Sequence, residues 1–230
     1  MVTENLKDIR QRVADACRRA GRNPETVTLI AVSKTKPAEM LQEAYDAGVR
    51  DFGENKVQEM MQKEEILPAD IRWHMIGHLQ RNKVKYLMGK TELIHSVDSL
   101  RLAEEISRLS VKNQICTDIL IEVNIAGEES KFGTSRQEAF DLVRAAAQLP
   151  GIRIRGLMTV APYTEHPENN RGYFRKIREL SVDIAAENID NVHMDFLSMG
   201  MTGDFEIAIE EGATHVRVGT GIFGERNYTI

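Results

Sequence analysis

The sequence predicts a single (β/α)8 barrel of the TIM type, an α/β fold, preceded by an extra N-terminal helix. Three observations lead there. Eight apolar, β-branched runs recur along 230 residues, as strands buried on both faces should read. Helical patterns fill the intervals, which implies parallel crossovers rather than hairpins. No Pro/Ser-rich linker or low-complexity tract interrupts the alternation, so residues 1–230 are expected to form one domain. A doubly wound open sheet is the competing arrangement. It usually carries a glycine-rich phosphate loop after its first strand, whereas Ser33-Lys34-Thr35-Lys36 has no glycine.

Leu6 to Ala20 reads as the extra helix: Leu6, Ile9, Val13, Ala16 and Cys17 share a face, and Gly21 stops it. Strands are then expected at Val27–Val32, Arg50–Gly53, Arg72–Ile76, Leu93–Val97, Asp118–Val123, Ile152–Val160, His193–Ser198 and Thr214–Val218. Helical patterns lie between them at Ala38–Ala47, Lys56–Ile66, Arg81–Met88, Leu100–Leu109, Arg136–Leu149 and Gly172–Glu187, with a short one at Phe205–Glu211. Glu128-Glu129-Ser130-Lys131-Phe132-Gly133 reads as a flexible loop after the fifth strand, over the barrel mouth.

Composition sets limits on partners. A net charge of −5 with mixed signs offers no basic excess for nucleic acid, and Arg81, Lys83, Lys85 and Lys90 read as a solvated helix face. No apolar stretch has spanning length, and Met1-Val2-Thr3-Glu4-Asn5 lacks a signal-peptide pattern, so a cytoplasmic protein is expected. Cys17 and Cys116 have no paired spacing and read as reduced, partly buried small side chains.

Functional groups of such a barrel gather at the carboxyl ends of its strands. Glycine recurs at those ends, in Gly53-Glu54-Asn55, Gly77-His78, Ser198-Met199-Gly200-Met201 and Gly219-Thr220-Gly221. The run Thr28-Leu29-Ile30-Ala31-Val32-Ser33-Lys34 puts an amine at the mouth of a core strand. An unpaired ammonium is costly to bury, so Lys34 either snorkels outward or serves as an amine able to form an imine with an aldehyde. The turns after strands seven and eight can cradle an anion on backbone N–H groups, with Thr220 adding a donor. Arg217 shares a strand face with Gly219 and can bind that anion, pair with a carboxylate such as Asp195, or face a ring nitrogen.

Other residues rank lower. His74 and His78 straddle a strand end, with no acidic third ligand at metal-site spacing, so no metal site is expected. Asn55 reads best as a helix cap, while Glu54 is left between lining a pocket and capping. Met199 and Met201 read as core filling. Tyr163 reads as a solvated loop tyrosine rather than a base.

Val32-Ser33-Lys34-Thr35, Phe52-Gly53-Glu54-Asn55, Trp73-His74-Met75-Ile76-Gly77-His78-Leu79-Gln80-Arg81-Asn82-Lys83, Gly156-Leu157-Met158, Leu197-Ser198-Met199-Gly200-Met201 and Arg217 to Gly224 resemble, in order, the YggS/PROSC family of pyridoxal phosphate homeostasis proteins. The resemblance spans the chain from the first helix onward, and the family's barrel is similar to the N-terminal domain of alanine racemase. It implies a protein of vitamin B6 homeostasis that holds pyridoxal 5′-phosphate as a Schiff base on Lys34 and buffers or delivers it. Ser198, Gly219 and Thr220 would grip the phosphate, and Arg217 would face the pyridine nitrogen. Lys36 and Lys131 could also handle the cofactor, although both read as solvated amines. No catalytic residue is expected. The implied partners are the cofactor and its apoenzymes, with a monomer favoured because no racemase-type β domain follows the last strand. An amino-acid racemase, or a cofactor-free Schiff-base aldolase using Lys34, are the enzymatic alternatives.

Overall fold

The computed structural model describes residues 1–128 and 131–225. Eight parallel strands close into a barrel in chain order: β1 (Thr28–Val32), β2 (Asp51–Glu54), β3 (Arg72–Met75), β4 (Leu93–Val97), β5 (Thr117–Glu122), β6 (Ile152–Met158), β7 (Val192–Met201) and β8 (His215–Val218). β4 is buried along its whole length, as a strand covered on both faces must be. The closure is the functional point. β1 pairs with β8, Ile30 opposite Arg217 and Ala31 opposite Val218, so residues about 190 apart in sequence share one rim.

The helices are α1 (Val2–Arg19), α2 (Ala38–Asp46), α3 (Val57–Glu64), α4 (Leu100–Lys112), α5 (Arg136–Ala147), α6 (Arg171–Ala186), α7 (Phe205–Glu210) and α8 (Thr220–Phe223). α1 buries Val2, Leu6, Ile9, Val13, Ala16 and Cys17 at helical spacing, packing on α2, α7 and α8. It starts a turn earlier than its apolar stripe suggests. Glu43 of α2 accepts from the Thr3 amide at 3.2 Å and from the N-terminal ammonium at 3.4 Å, tying down that first turn. α5 opens with a capping box in which Ser135 and Glu138 satisfy each other's amides.

Three expectations need correction. Arg81–Tyr86 is a 3-10 helix, shorter than the helical pattern expected over Arg81–Met88. β7 runs on to Met201, past the expected end at Ser198. Gly200 permits this with φ +89°; a Cβ there would stand 2.5 Å from the Ala208 Cβ and 2.9 Å from the Phe205 Cα. Cys116 is exposed rather than partly buried, and both cysteines are free thiols. Glu129 and Ser130 of the expected loop lie outside the described residues. Among the described residues, no helix is long and apolar enough to cross a membrane.

Candidate ligand site at the barrel mouth

Lys34 follows β1, and its backbone is held from below by a buried ionic cluster. Lys63 of α3 donates from Nζ to the Ser33 carbonyl at 2.7 Å, to Glu54 Oε1 at 2.7 Å and to Glu59 Oε1 at 2.8 Å. Ser33 donates its hydroxyl to the same Glu54 oxygen at 2.6 Å. Glu54 is wholly buried, and burial pushes its carboxyl upward against the opposing charge of Lys63. Thr35, with φ +63°, is a β-branched residue in the left-handed region. Its amide donates to Glu59 at 2.6 Å and its hydroxyl to the Lys34 carbonyl at 2.6 Å, which keeps the kink in place. The cluster therefore fixes the residues on both sides of the amine.

A cavity of about 630 Å³ opens above this point, lined by Val32, Lys34, Asn55, the Pro162–Thr164 loop, Met201 to Asp204, Arg217, Gly219 and Thr220. Strand register explains the company. Met201 lies opposite Arg217, which brings the residue after β7 beside the turn after β8. There Thr202 Oγ1 accepts from the Gly219 and Gly221 amides, each at 3.3 Å. A hydroxyl that accepts twice has its own proton left to give, so this corner offers donors to an anion. Asp204 braces the corner: Oδ1 accepts from the Met201 amide at 2.7 Å and Oδ2 from Asn170 at 2.7 Å.

Arg217 is buried at the floor of the cavity. Burial lowers its guanidinium to about 10, opposed by the charges of Glu122 and Asp204, so it stays a cation. It donates to Ser198 Oγ at 2.5 Å and to the Thr159 carbonyl at 2.8 Å. Asp195 is not its partner; that carboxylate pairs with Arg155 at 3.1 Å. Ser198 is buried and absent from the cavity lining, because its hydroxyl is engaged by Arg217 and by His95.

The remaining candidates divide. Asn55 lines the cavity instead of capping α3, whose cap position is Lys56. Met199 is core, but Met201 is 39% exposed and lines the cavity, since the φ +89° kink at Gly200 and the register shift between Ser198 and Met201 break the strand's alternation. Lys36 is no solvated amine: its Nζ donates to the carbonyls of Phe223, Gly224 and Glu225 at 3.2, 2.9 and 2.8 Å. Lys131 is likewise tied, to the Ala161 carbonyl at 3.1 Å and to Glu128. His74 is inside the barrel while His78 stacks on Phe132 at the mouth, with ring centroids 3.9 Å apart. No group of three possible metal ligands occurs among the described residues.

A second hollow of about 570 Å³ adjoins the first through Asn55, Ile76 and Val160. Glu122 lines it, pushed up to about 7 by burial and the nearby charge of Asp98, with Arg217 pulling the other way. Sequence reasoning missed Thr202, Asp204, Lys63 and Glu122. Thr202 had a readable signal, a hydroxyl two residues past the seventh strand's glycine.

The barrel thus brings an amine from the end of its first strand and a donor-lined turn after its last into one cavity at its carboxyl end. Residues 5–227 match the family model described as alanine racemase, N-terminal domain. A pyridoxal phosphate homeostasis protein of Aquifex aeolicus is 50% identical over 226 residues, 98% of each chain. The chain belongs to the pyridoxal phosphate homeostasis family. Among solved structures, a protein of Bifidobacterium adolescentis matches with a TM-score of 0.92 at 38% identity, over 96% of this chain and 94% of that one. PipY of Synechococcus elongatus, solved with pyridoxal phosphate bound, matches with a TM-score of 0.84 at 33% identity, over 97% and 100%.

Proposed function

We propose that this protein binds pyridoxal 5′-phosphate at the barrel mouth, as a Schiff base on Lys34, and serves vitamin B6 homeostasis by buffering or delivering it. One observation carries the reading: Lys34, Thr202, Arg217, Gly219 and Thr220 line a single cavity. The printed name of the Aquifex relative and the cofactor in PipY support it. The donor set also fits the cofactor's parts, an aldehyde for the amine, a phosphate for the turn and a ring acceptor for the guanidinium.

When bound, the cofactor supplies an aldehyde that condenses reversibly with amines. The protein's own groups do the rest. Lys34 provides the attachment nitrogen, on a backbone that the Lys63 cluster holds in place. The Gly219 and Thr220 turn, with Thr202, grips the phosphate, and Ser198 contributes by holding Arg217. Arg217 presents N–H donors only, so the ring atom opposite it must accept. A ring nitrogen kept unprotonated is a weak electron sink, which favours holding the cofactor over catalysis with it.

No catalytic residue is assigned in this reading. Tyr163 is 91% exposed, and both oxygens of Asp204 are occupied. Neither is poised as a base opposite Lys34. The corresponding setting is the cytoplasm, with the protein a monomer and cofactor-dependent apoenzymes the recipients. The test is borohydride reduction of protein loaded with pyridoxal phosphate, followed by peptide mapping. A pyridoxyl adduct at Lys34, lost in Lys34→Ala, is expected; an adduct confined to another lysine, or none, overturns the assignment.

A further inference from the structure

Below the cavity, a row of polar side chains crosses the barrel interior. Arg217 donates to Ser198 Oγ, which lies 2.8 Å from Nδ1 of His95 on β4. His95 Nε2 lies 3.0 Å from Nδ1 of His74 on β3, and His74 Nε2 lies 3.1 Å from Oδ1 of Asp51. Arg217, Ser198, His95 and His74 are all buried. Asp51, at the start of β2, pairs with half-exposed Arg72 at 2.8 and 2.5 Å. The row therefore runs from the cavity floor to solvent at the opposite end of the barrel.

Its two ends set its direction. Arginine only donates and an ionised carboxylate only accepts. Burial pushes Asp51 up, but the hydrogen bonds from His74 and Arg72 outweigh it and hold the carboxyl at about 2. Burial holds His95 well below its ordinary value, and the nearby charge of Arg217 acts in the same sense. With one proton on each imidazole, a single assignment satisfies every group. Arg217 donates to Ser198, the Ser198 hydroxyl to His95 Nδ1, His95 Nε2–H to His74 Nδ1, and His74 Nε2–H to Asp51. A proton added at His74 Nδ1 reverses the middle of the row: His95 would then donate to Ser198, whose own proton would lose its acceptor. His74 is faced by Asp51 from β2, His95 from β4 and His215 from β8, with Arg72 behind Asp51.

We propose that Asp51, His74 and His95 are positioning residues, a one-way hydrogen-bond relay that fixes Arg217 through Ser198 and tunes the ligand cavity from the far end of the barrel. The barrel's N-terminal end ordinarily carries stability alone; here it also reaches the binding site. The relay rests on the pyridoxal phosphate reading only where that ligand is the probe.

Two measurements test it. Nitrogen-15 NMR of the histidine rings in the unliganded protein, assigned with His74→Asn and His95→Phe variants, should show both rings neutral and protonated on Nε2. A proton on Nδ1 of His95 at neutral pH overturns the relay, whatever the ligand proves to be. Binding of pyridoxal phosphate should weaken about tenfold in Ser198→Ala and by a similar factor in His95→Phe. The double variant should bind no more weakly than Ser198→Ala, because both changes cut one chain. Losses that multiply in the double variant, or unchanged binding in His95→Phe, reduce His95 to a packing residue. A missing adduct at Lys34 with the NMR pattern intact would instead sink the cofactor reading alone.

Discussion

Replacing Lys63 by methionine should destabilise the fold by about 3–5 kcal/mol, the usual consequence of removing one partner of a buried ion pair. Methionine matches the length of the lysine stem, so little packing is lost and the deficit is electrostatic. The side chain of Lys63 is 8% exposed and that of Glu54 is fully buried, so water cannot replace the lost ammonium. Three hydrogen bonds disappear together, including the one that pins the Ser33 carbonyl beside Lys34. Burial already raises the Glu54 carboxyl, and without Lys63 it should rise further. A carboxyl raised in the folded state binds its proton more tightly there than when unfolded, so stability falls as pH climbs through that interval. The Lys63→Met deficit should therefore be larger in mild alkali than in mild acid. Adding Glu54→Gln should recover most of it, since the amide accepts from Ser33 without a charge. Urea denaturation across pH reads all three quantities. A deficit below about 1 kcal/mol, or one indifferent to pH and to Glu54→Gln, would refute the view that this cluster is a desolvated charge pair.

Glu122 gives a second pH signature. With its folded-state value near 7 against an ordinary 4.5, its ionisation should withdraw about 3 kcal/mol of stability between those pH values. Glu122→Gln should flatten stability over that window, and identical slopes in both proteins would contradict the assignment. Thr202→Val should weaken pyridoxal phosphate about tenfold while leaving pyridoxal, which lacks the phosphate, unaffected. Equal losses for both ligands would move the phosphate grip away from the Thr202 corner.

The parts legible in the sequence were those written locally. Strands covered on both faces read as nearly continuous apolar runs, so Val27–Val32 and Asp118–Val123 announced themselves, and the number of such runs implied closure. Lys34 and Gly219-Thr220-Gly221 were legible because they break such runs abruptly at the strand ends. What was hidden depends on partners distant in sequence. Lys63 lies four residues after Glu59 on a helix, a spacing that ordinarily marks a solvated pair; only the approach of Ser33 and Glu54 makes it a core residue. Thr202 reaches the cavity through the pairing of Met201 with Arg217, and the Ser198 hydroxyl meets His95, 103 residues away.

Both buried polar systems end at the walls of one cavity, and that is the better explanation of why the barrel tolerates them. Burying charge is unfavourable, and an apolar core of equal volume is often as stable or more so. Lys63 and Glu54 nevertheless lie beneath the residues flanking Lys34, while the row from Asp51 ends on Arg217. An aliphatic core could fill either space but could not aim an amine or a guanidinium, because dispersion contacts have no direction. Hydrogen bonds do, and they hold direction best where water is absent to compete. If that is the reason for both systems, apolar replacements throughout the Lys63 cluster should restore stability more readily than they restore ligand binding. Recovery of both in step would mean that the buried charges serve the fold and not the site.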